Sequence, residues 1–284
     1  MVRLHYVTLA TKPHPNLDIL LQLAEKVGLR PKVLGMSDQR MQSWGEAFGI
    51  KIEYILKACA ELDDTDVLLY TDAFDIIPLA REREIMNAFF AMDADLVFGA
   101  ETACHPRQDL RGAFDVISSD AGNRHRYLNA GFSIGYVGAY KELTAQKVFE
   151  ARDDDQGYWS ELFLRKHNGK GKYGALLMKL DISSTIVMNL FDARNDLNYD
   201  QASGRYKRIS TGARPCFLHL NGGHDDFMQL AKPALDRVVD KSTIGKRLQN
   251  FMYRGRFSKG TFVPPLLAAA LGVIIFVFIV LALR

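Results

Sequence analysis

Strand-like and helix-like segments alternate along the first hundred residues, and this alternation leaves few architectures open to the chain. Apolar runs typical of strands cover 2–10, 31–34, 66–70 and 94–99, whereas helical spacing covers 16–27, 47–62 and 82–92. Short connections between alternating strands and helices predict an α/β fold with a mostly parallel sheet flanked by helices. In such sheets the ligand site is expected beyond the carboxyl ends of the strands.

The pattern loosens after about residue 110, where loops separate mixed elements. We predict strands at 127–137, 185–190 and 216–218, and helices at 141–151 and 156–166. The length suits one large α/β domain or two small ones, and we interpret residues 1–240 as one domain.

The stretch YTDAFD places Asp72 and Asp75 at the end of an apolar strand. Burying even one anion there is costly unless a positive group meets it. An Asx-type turn at the strand end is the alternative interpretation. Because the pair lies at a carboxyl end of the predicted sheet, we favour a clasp for Mg²⁺ or Mn²⁺ bound to a diphosphate. The spacing differs from the DxD pair of phosphohydrolases.

A histidine follows another short apolar strand, in the segment CFLHLNGG. As a third ligand, the imidazole of His219 would favour Mn²⁺. The alternative is a strand-end histidine that makes ordinary hydrogen bonds.

An acidic cluster, residues 153–155, precedes the amphipathic segment GYWSELFLRK. At least one of these aspartates is expected to cap the helix, where its charge is favoured by the helix dipole. The other carboxylates would repel a nearby phosphate unless one of them handles a proton or a hydroxyl group.

The charge distribution argues against nucleic acid as a partner. Residues 1–240 contain 29 of the basic residues and all 33 acidic ones, so this part is mildly acidic. The three cysteines show no CxxC spacing, which predicts reduced thiols without a disulfide framework.

The C-terminal segment predicts a membrane anchor. Residues 262–283 carry no charge over 22 positions, and as a helix they would reach about 33 Å, enough to cross a bilayer. We interpret 241–261 as a basic juxtamembrane linker and 262–284 as a single transmembrane anchor. Six basic residues precede the apolar segment and one follows it, so the positive-inside rule predicts that the main domain faces the cytoplasm.

Seven segments then establish a resemblance, because they occur in one order along most of residues 1–225. They are VLGMSDQRMQSWG (33–45), VLLYTDAFDIIPL (67–79), GAETACHP (99–106), RYLNAGFSIGYV (126–137), DDDQGYWSELFL (153–164), STIVMNL (184–190) and LHLNG (218–222). Together they resemble the glycosyltransferase domain of the procollagen lysyl hydroxylase/glycosyltransferase family, without its dioxygenase part.

The resemblance implies a GT-A type, Rossmann-like fold and transfer of a hexose, glucose or galactose, from a UDP-sugar to an acceptor hydroxyl. It implies Mn²⁺ as the cofactor, with Mg²⁺ as the alternative. The residues that match metal ligands are Asp72, Asp75 and His219. Those that match the nucleotide-sugar side are Trp44, Phe74, Asn129, Asn221 and Gly222, and the matched acidic residues beside the sugar and acceptor are Asp154 and Asp155.

Two other functions stay open on the sequence. The chain could be a non-catalytic, membrane-anchored module that binds nucleotide-sugars, or a pyrophosphohydrolase that uses water as the acceptor. The acceptor hydroxyl of a transferase could belong to a glycan, a protein or a lipid.

Overall fold

The computed structural model describes residues 2–36, 38–40, 48–117, 122–145, 147–167, 176–223 and 226–236. Its strands are β1 (Leu4–Leu9), β2 (Lys32–Leu34), β3 (Val67–Asp72), β4 (Ile76–Pro78), β5 (Leu96–Glu101), β6 (Tyr127–Tyr136), β7 (Met178–Asp181), β8 (Val187–Asn189), β9 (Leu197–Asp200), β10 (Arg205–Arg208) and β11 (Phe217–His219). Its helices are α1 (Pro15–Lys26), α2 (Gly49–Cys59), α3 (Glu82–Ala91), α4 (Arg111–Ile117), α5 (Val137–Thr144), α6 (Asp155–His167) and α7 (Phe227–Asp236).

The central sheet has six strands in the order β2-β1-β3-β6-β5-β7. Parallel pairing joins β1 to β2 and β3, and β5 to β7. Strand β6 runs antiparallel to both of its neighbours, β3 and β5. The predicted α/β fold with a mostly parallel sheet is confirmed, with one reversed strand near its centre.

A second sheet of three strands, in the order β4-β11-β8, begins where β3 ends. Strand β11 pairs antiparallel with β4 and parallel with β8. Because only the turn 73–75 separates β3 from β4, this turn lies where the two sheets meet. Strands β9 and β10 form a separate antiparallel hairpin.

Strand β3 shows why the central sheet is apolar on both faces. Leu68 and Tyr70 pack in one cluster with Trp159 of α6, whereas Val67 and Leu69 pack in another with Phe89 of α3. Successive side chains of a strand point to opposite faces. A strand covered by helices on both sides therefore consists of consecutive apolar residues, as this one does.

The helix predicted at 141–151 is wrong in position, because α5 covers Val137–Thr144. Its first amides find acceptors in the turn before β3: Val137 N donates to Asp66 O at 2.9 Å and Gly138 N to Asp64 O at 3.0 Å. The helix can therefore start directly after β6. Beyond it, Lys147 pairs with Asp153 at 3.2 Å, which folds the chain back toward α6.

Within the described residues, every helix is too short or too polar to cross a membrane. The predicted juxtamembrane linker and anchor, 241–284, lie outside the described residues.

Candidate functional site

Three side chains that could hold a metal ion converge where the two sheets meet. Asp72 ends β3, Asp75 lies in the turn that follows, and His219 ends β11. The antiparallel register pairs His219 with Ile76, the residue after Asp75, and so brings positions 144 residues apart together. One ligand atom from each of Asp72, Asp75 and His219 lies within 4.8 Å of the others.

The ring of His219 is held from both sides. Its Nδ1 lies 2.6 Å from Oδ1 of Asn189, whose Nδ2 donates to the Ala100 carbonyl at 2.8 Å. Its Nε2 lies 3.0 Å from Oδ2 of Asp75. Burial opposes the charged imidazole, but the Asp75 carboxylate prevails and raises the pKa of His219 above its ordinary value. As a metal ligand, Nε2 would have to give up its proton.

A glycine keeps the space between these ligands open. A Cβ on Gly131 of β6 would lie 2.4 Å from Cε1 of His219 and 2.9 Å from Oδ2 of Asp72. Gly131 lies in the stretch where the pairing of β5 with β6 shifts, between Phe98–Ser133 and Gly99–Asn129. Two carboxylates and an imidazole that converge where even a methyl group would overlap them are a donor set that fits Mn²⁺ or Mg²⁺.

Among the described residues, Lys51 of α2 brings a positive charge to this site. Its Nζ lies 3.0 Å from Oδ1 of Asp72 and 3.7 Å from Oδ2 of Asp155, and its side chain is 13% exposed. Burial alone would lower the pKa of Lys51, but the carboxylates of Asp155 and Asp72 raise it above its ordinary value. Lys51 therefore stays charged and links the metal-ligand side to the start of α6.

The two acidic residues predicted beside the sugar and acceptor occupy different positions. Oδ1 of Asp154 accepts from Gly157 N at 2.9 Å and so caps α6. Asp155 is buried and faces Lys51. Burial, together with the nearby carboxylates of Asp72 and Asp154, raises the pKa of Asp155 to about 6, although Lys51 opposes this.

The buried carboxylate of Glu101, at the end of β5, accepts hydrogen bonds from three amide side chains of this region. Asn129 and Gln156 donate to its Oε1, each at 3.0 Å, and Asn221 donates to its Oε2 at 2.8 Å. Burial raises the pKa of Glu101 to about 7, although these hydrogen bonds favour the ionised form. Asn129 and Asn221, both predicted on the nucleotide-sugar side, therefore share one partner.

Of the other residues predicted on the nucleotide side, the structure describes Phe74 and Gly222. The ring of Phe74 packs against that of His14, with 4.7 Å between the ring centroids. The backbone carbonyl of Phe74 accepts a hydrogen bond from Nδ2 of Asn16 at 2.7 Å. Gly222 adopts φ +82°, and a Cβ there would lie 2.4 Å from the Phe191 ring. Trp44 lies outside the described residues.

Four carboxylates gather here, from Asp72, Asp75, Asp155 and Glu101, against the cationic Lys51 and the titratable His219. Such an arrangement attracts a cation, because like charges in a partly buried site repel each other unless an opposite charge separates them.

Four further residues of the site were not predicted from the sequence: Lys51, Glu101, Gly131 and Asn189. Lys51 gave no signal, because a lysine in an amphipathic helix is usually solvated. Glu101 could have been noticed, since it ends an apolar strand in the same way as Asp72. Gly131 and Asn189 acquire their roles from strand pairing alone.

The PLOD GT domain family matches residues 1–234. A procollagen-lysine,2-oxoglutarate 5-dioxygenase of Drosophila melanogaster is 26% identical over 223 residues, covering 76% of this chain and 30% of the relative. A multifunctional procollagen lysine hydroxylase and glycosyltransferase of Caenorhabditis elegans is 28% identical over 228 residues, with 76% and 30% covered. The similarity thus spans less than a third of the length of these relatives.

Solved structures give weaker similarities. A glycosyltransferase involved in the glycosylation of the major capsid of PBCV-1 has 10% identity and a TM-score of 0.45, covering 80% of this chain and 99% of that one. Mouse xyloside xylosyltransferase 1 has 9% identity and a TM-score of 0.41, covering 77% and 98%. The family assignment does not depend on them.

The family match covers most of the chain, and it agrees with the resemblance that the seven sequence segments indicated. The chain therefore belongs to the PLOD GT domain family, the glycosyltransferase domain of the procollagen lysyl hydroxylase/glycosyltransferases.

Proposed function

We propose that the chain is a metal-dependent glycosyltransferase of the GT-A type, which moves glucose or galactose from a UDP-sugar to an acceptor hydroxyl. The observation that carries the proposal is the convergence of Asp72, Asp75 and His219 within 4.8 Å around the gap that Gly131 leaves open. Family membership supplies the reaction class, and the donor set supports the metal.

In this proposal Asp72, Asp75 and His219 hold Mn²⁺, with Mg²⁺ as the alternative. When bound, the ion would neutralise the diphosphate and stabilise the UDP leaving group. Other residues of the chain would make the remaining contacts with the donor. Asn221 and Gly222 would bind on the diphosphate side, and Trp44 and Phe74 would lie toward the uracil. Phe74 carries no hydroxyl, so it contributes an apolar contact there without a hydrogen bond.

Asp155 is assigned to the acceptor side of the site. Its pKa, raised to about 6 by burial, suits a group that takes a proton from a hydroxyl near neutral pH. Asp154 positions α6 through its cap, and Lys51 fixes Asp155 relative to Asp72. A carboxylate close to the sugar would also stabilise the positive charge that builds on the ring in the transition state.

The test uses the full chain with UDP-glucose and UDP-galactose, with and without Mn²⁺. We expect metal-dependent release of UDP, with free sugar when water is the acceptor, and faster UDP release with formation of the glycoside when an acceptor alcohol is added. Asp72→Ala should abolish turnover, whereas Asp109→Ala, at a side chain that is 61% exposed and paired with Arg107, should leave it unchanged. Metal-independent activity, or equal activity in both variants, would contradict the proposal.

The products distinguish the other two functions. UMP with sugar 1-phosphate would indicate a pyrophosphohydrolase. Nucleotide binding without any turnover would indicate a non-catalytic module.

We also propose that residues 262–283 anchor the protein in a membrane with the catalytic domain in the cytoplasm, on the strength of the uncharged run and the basic residues before it. Protease added to intact microsomes that carry the full chain should then digest the domain. Full protection would place the domain on the lumenal side.

A further inference from the structure

An exposed aromatic residue stands beside the site. Phe191 follows β8 by two residues, and β8 ends at Asn189, which lies in register with His219. The Phe191 residue is 43% exposed. It therefore presents a large apolar surface to solvent at the same sheet edge as the metal-ligand residues.

Both backbone polar groups of Phe191 are fixed. Its N–H donates to Oδ1 of Asn221 at 3.1 Å, and its carbonyl accepts from Oγ1 of Thr102 at 2.7 Å. One edge of the ring lies close to Gly222, where an added Cβ would be 2.4 Å from it. The backbone that carries the ring is thus fixed before any ligand arrives, which lowers the entropy that binding would cost.

The next residue in the chain, Asp192, lines a polar cavity of about 410 Å³. It is lined by Arg124, Asp192, Ala193, Arg194, Asn195 and Asp196. Arg124 pairs with Asp192, and Arg194 pairs with Asp226. Because both arginines are matched by carboxylates, the cavity offers hydrogen-bond donors and acceptors with little net charge. That favours a neutral, hydroxyl-rich ligand over a phosphate.

We propose that Phe191 and this cavity form a subsite for a pyranose ring, an inference that rests on the proposed function. A pyranose presents an apolar face of C–H groups that stacks on an aromatic ring, and a rim of hydroxyls that bind polar side chains. The sugar could be that of the donor or one carried by the acceptor, and the experiment separates the two.

The first arm measures saturation-transfer NMR on the full chain with methyl β-D-glucopyranoside and methyl β-D-galactopyranoside, with a chelator present. The second arm measures the affinities of UDP-glucose and of UDP with Mg²⁺ present. The variants are Phe191→Ala, Phe191→Tyr, which keeps the ring, and Phe90→Ala, a control at a phenylalanine of α3 that is 45% exposed. Melting temperatures establish that each variant is folded.

We expect Phe191→Ala to weaken sugar binding about fivefold, and Phe191→Tyr and Phe90→Ala to leave it near the wild-type level. If Phe191→Ala loses affinity only for the methyl glycosides, the subsite belongs to the acceptor sugar. If it loses affinity for UDP-glucose but not for UDP, the subsite belongs to the donor sugar. If Phe191→Ala and Phe90→Ala have the same affinities in both arms, the inference is overturned. This includes the case where no methyl glycoside binds to any variant. If the wild type does not bind UDP-glucose in the presence of metal, but Phe191→Ala still weakens binding of the methyl glycosides, only the proposed function is overturned.

Discussion

Nζ of Lys51 lies 3.0 Å from Oδ1 of Asp72, so a buried cation is paired with a side chain of the candidate metal site. The same Nζ is 3.7 Å from Asp155. Lys51 thus neutralises part of the carboxylate charge, and the stability of the metal-free protein should depend on it.

Lys51→Met should destabilise the metal-free protein by about 3 kcal/mol, because two partly buried carboxylates lose their counter-ion. Urea denaturation in the presence of a chelator measures this. Lys57→Met is the matched control, since that lysine lies on the same helix, is 60% exposed and pairs with Glu53; its effect should stay below about 1 kcal/mol. Folded Lys51→Met should also bind Mn²⁺ more tightly than wild type, because a nearby positive charge is gone. Equal stability of the two variants would contradict this account.

Gly131→Ala should reduce Mn²⁺ affinity by about tenfold or more. The added methyl would lie 2.4 Å from the His219 ring and must push a ligand aside. Gly112→Ala is the control, because a Cβ there meets no atom within 4 Å. Titration of both variants by calorimetry gives the comparison, and unchanged affinity in Gly131→Ala would mean that the ion sits elsewhere.

Asn189→Ala should also weaken Mn²⁺ binding, by roughly 10- to 100-fold, since the hydrogen bond on the other ring nitrogen orients a metal-binding histidine. The acceptor that orients Nδ1 of His219, at 2.6 Å, is removed. Asn198→Ala, at an exposed position of β9, should bind the ion as the wild type does. Affinity is measured on folded protein, so that any loss of stability is separated from the loss of the ligand's orientation.

Glu101 should make the stability of the metal-free protein fall as the pH rises. Its pKa in the folded chain is about 7 against an ordinary 4.5, so between these values the folded protein holds a proton that the unfolded chain has released. The stabilisation is complete below pH 4.5 and is lost as the pH passes through about 7. The difference in unfolding free energy between wild type and Glu101→Gln should therefore decrease by up to about 3 kcal/mol over this window. A difference independent of pH would show that the carboxylate is ionised throughout.

Much of the architecture was predictable, because apolar periodicity reports which faces of a helix or strand are buried. The strands that carry Asp72 and His219 and the helix that begins beside Asp155 all lie within a few residues of their predicted positions. The helix placed at 141–151 was wrong, since its true start depends on carbonyls of residues 64 and 66, which no local pattern contains.

The amino-acid sequence by itself determined the α/β class, the carboxylates at strand ends and the family, because these depend on local periodicity and on the order of short segments. Only the tertiary structure decided that His219 meets Asp75, that Lys51 is the counter-ion and that Gly131 leaves the gap between the ligands. These relations join residues far apart in the chain. They arise from the antiparallel pairing of β4 with β11 and from the shifted register of β5 against β6, which packing of the whole domain selects.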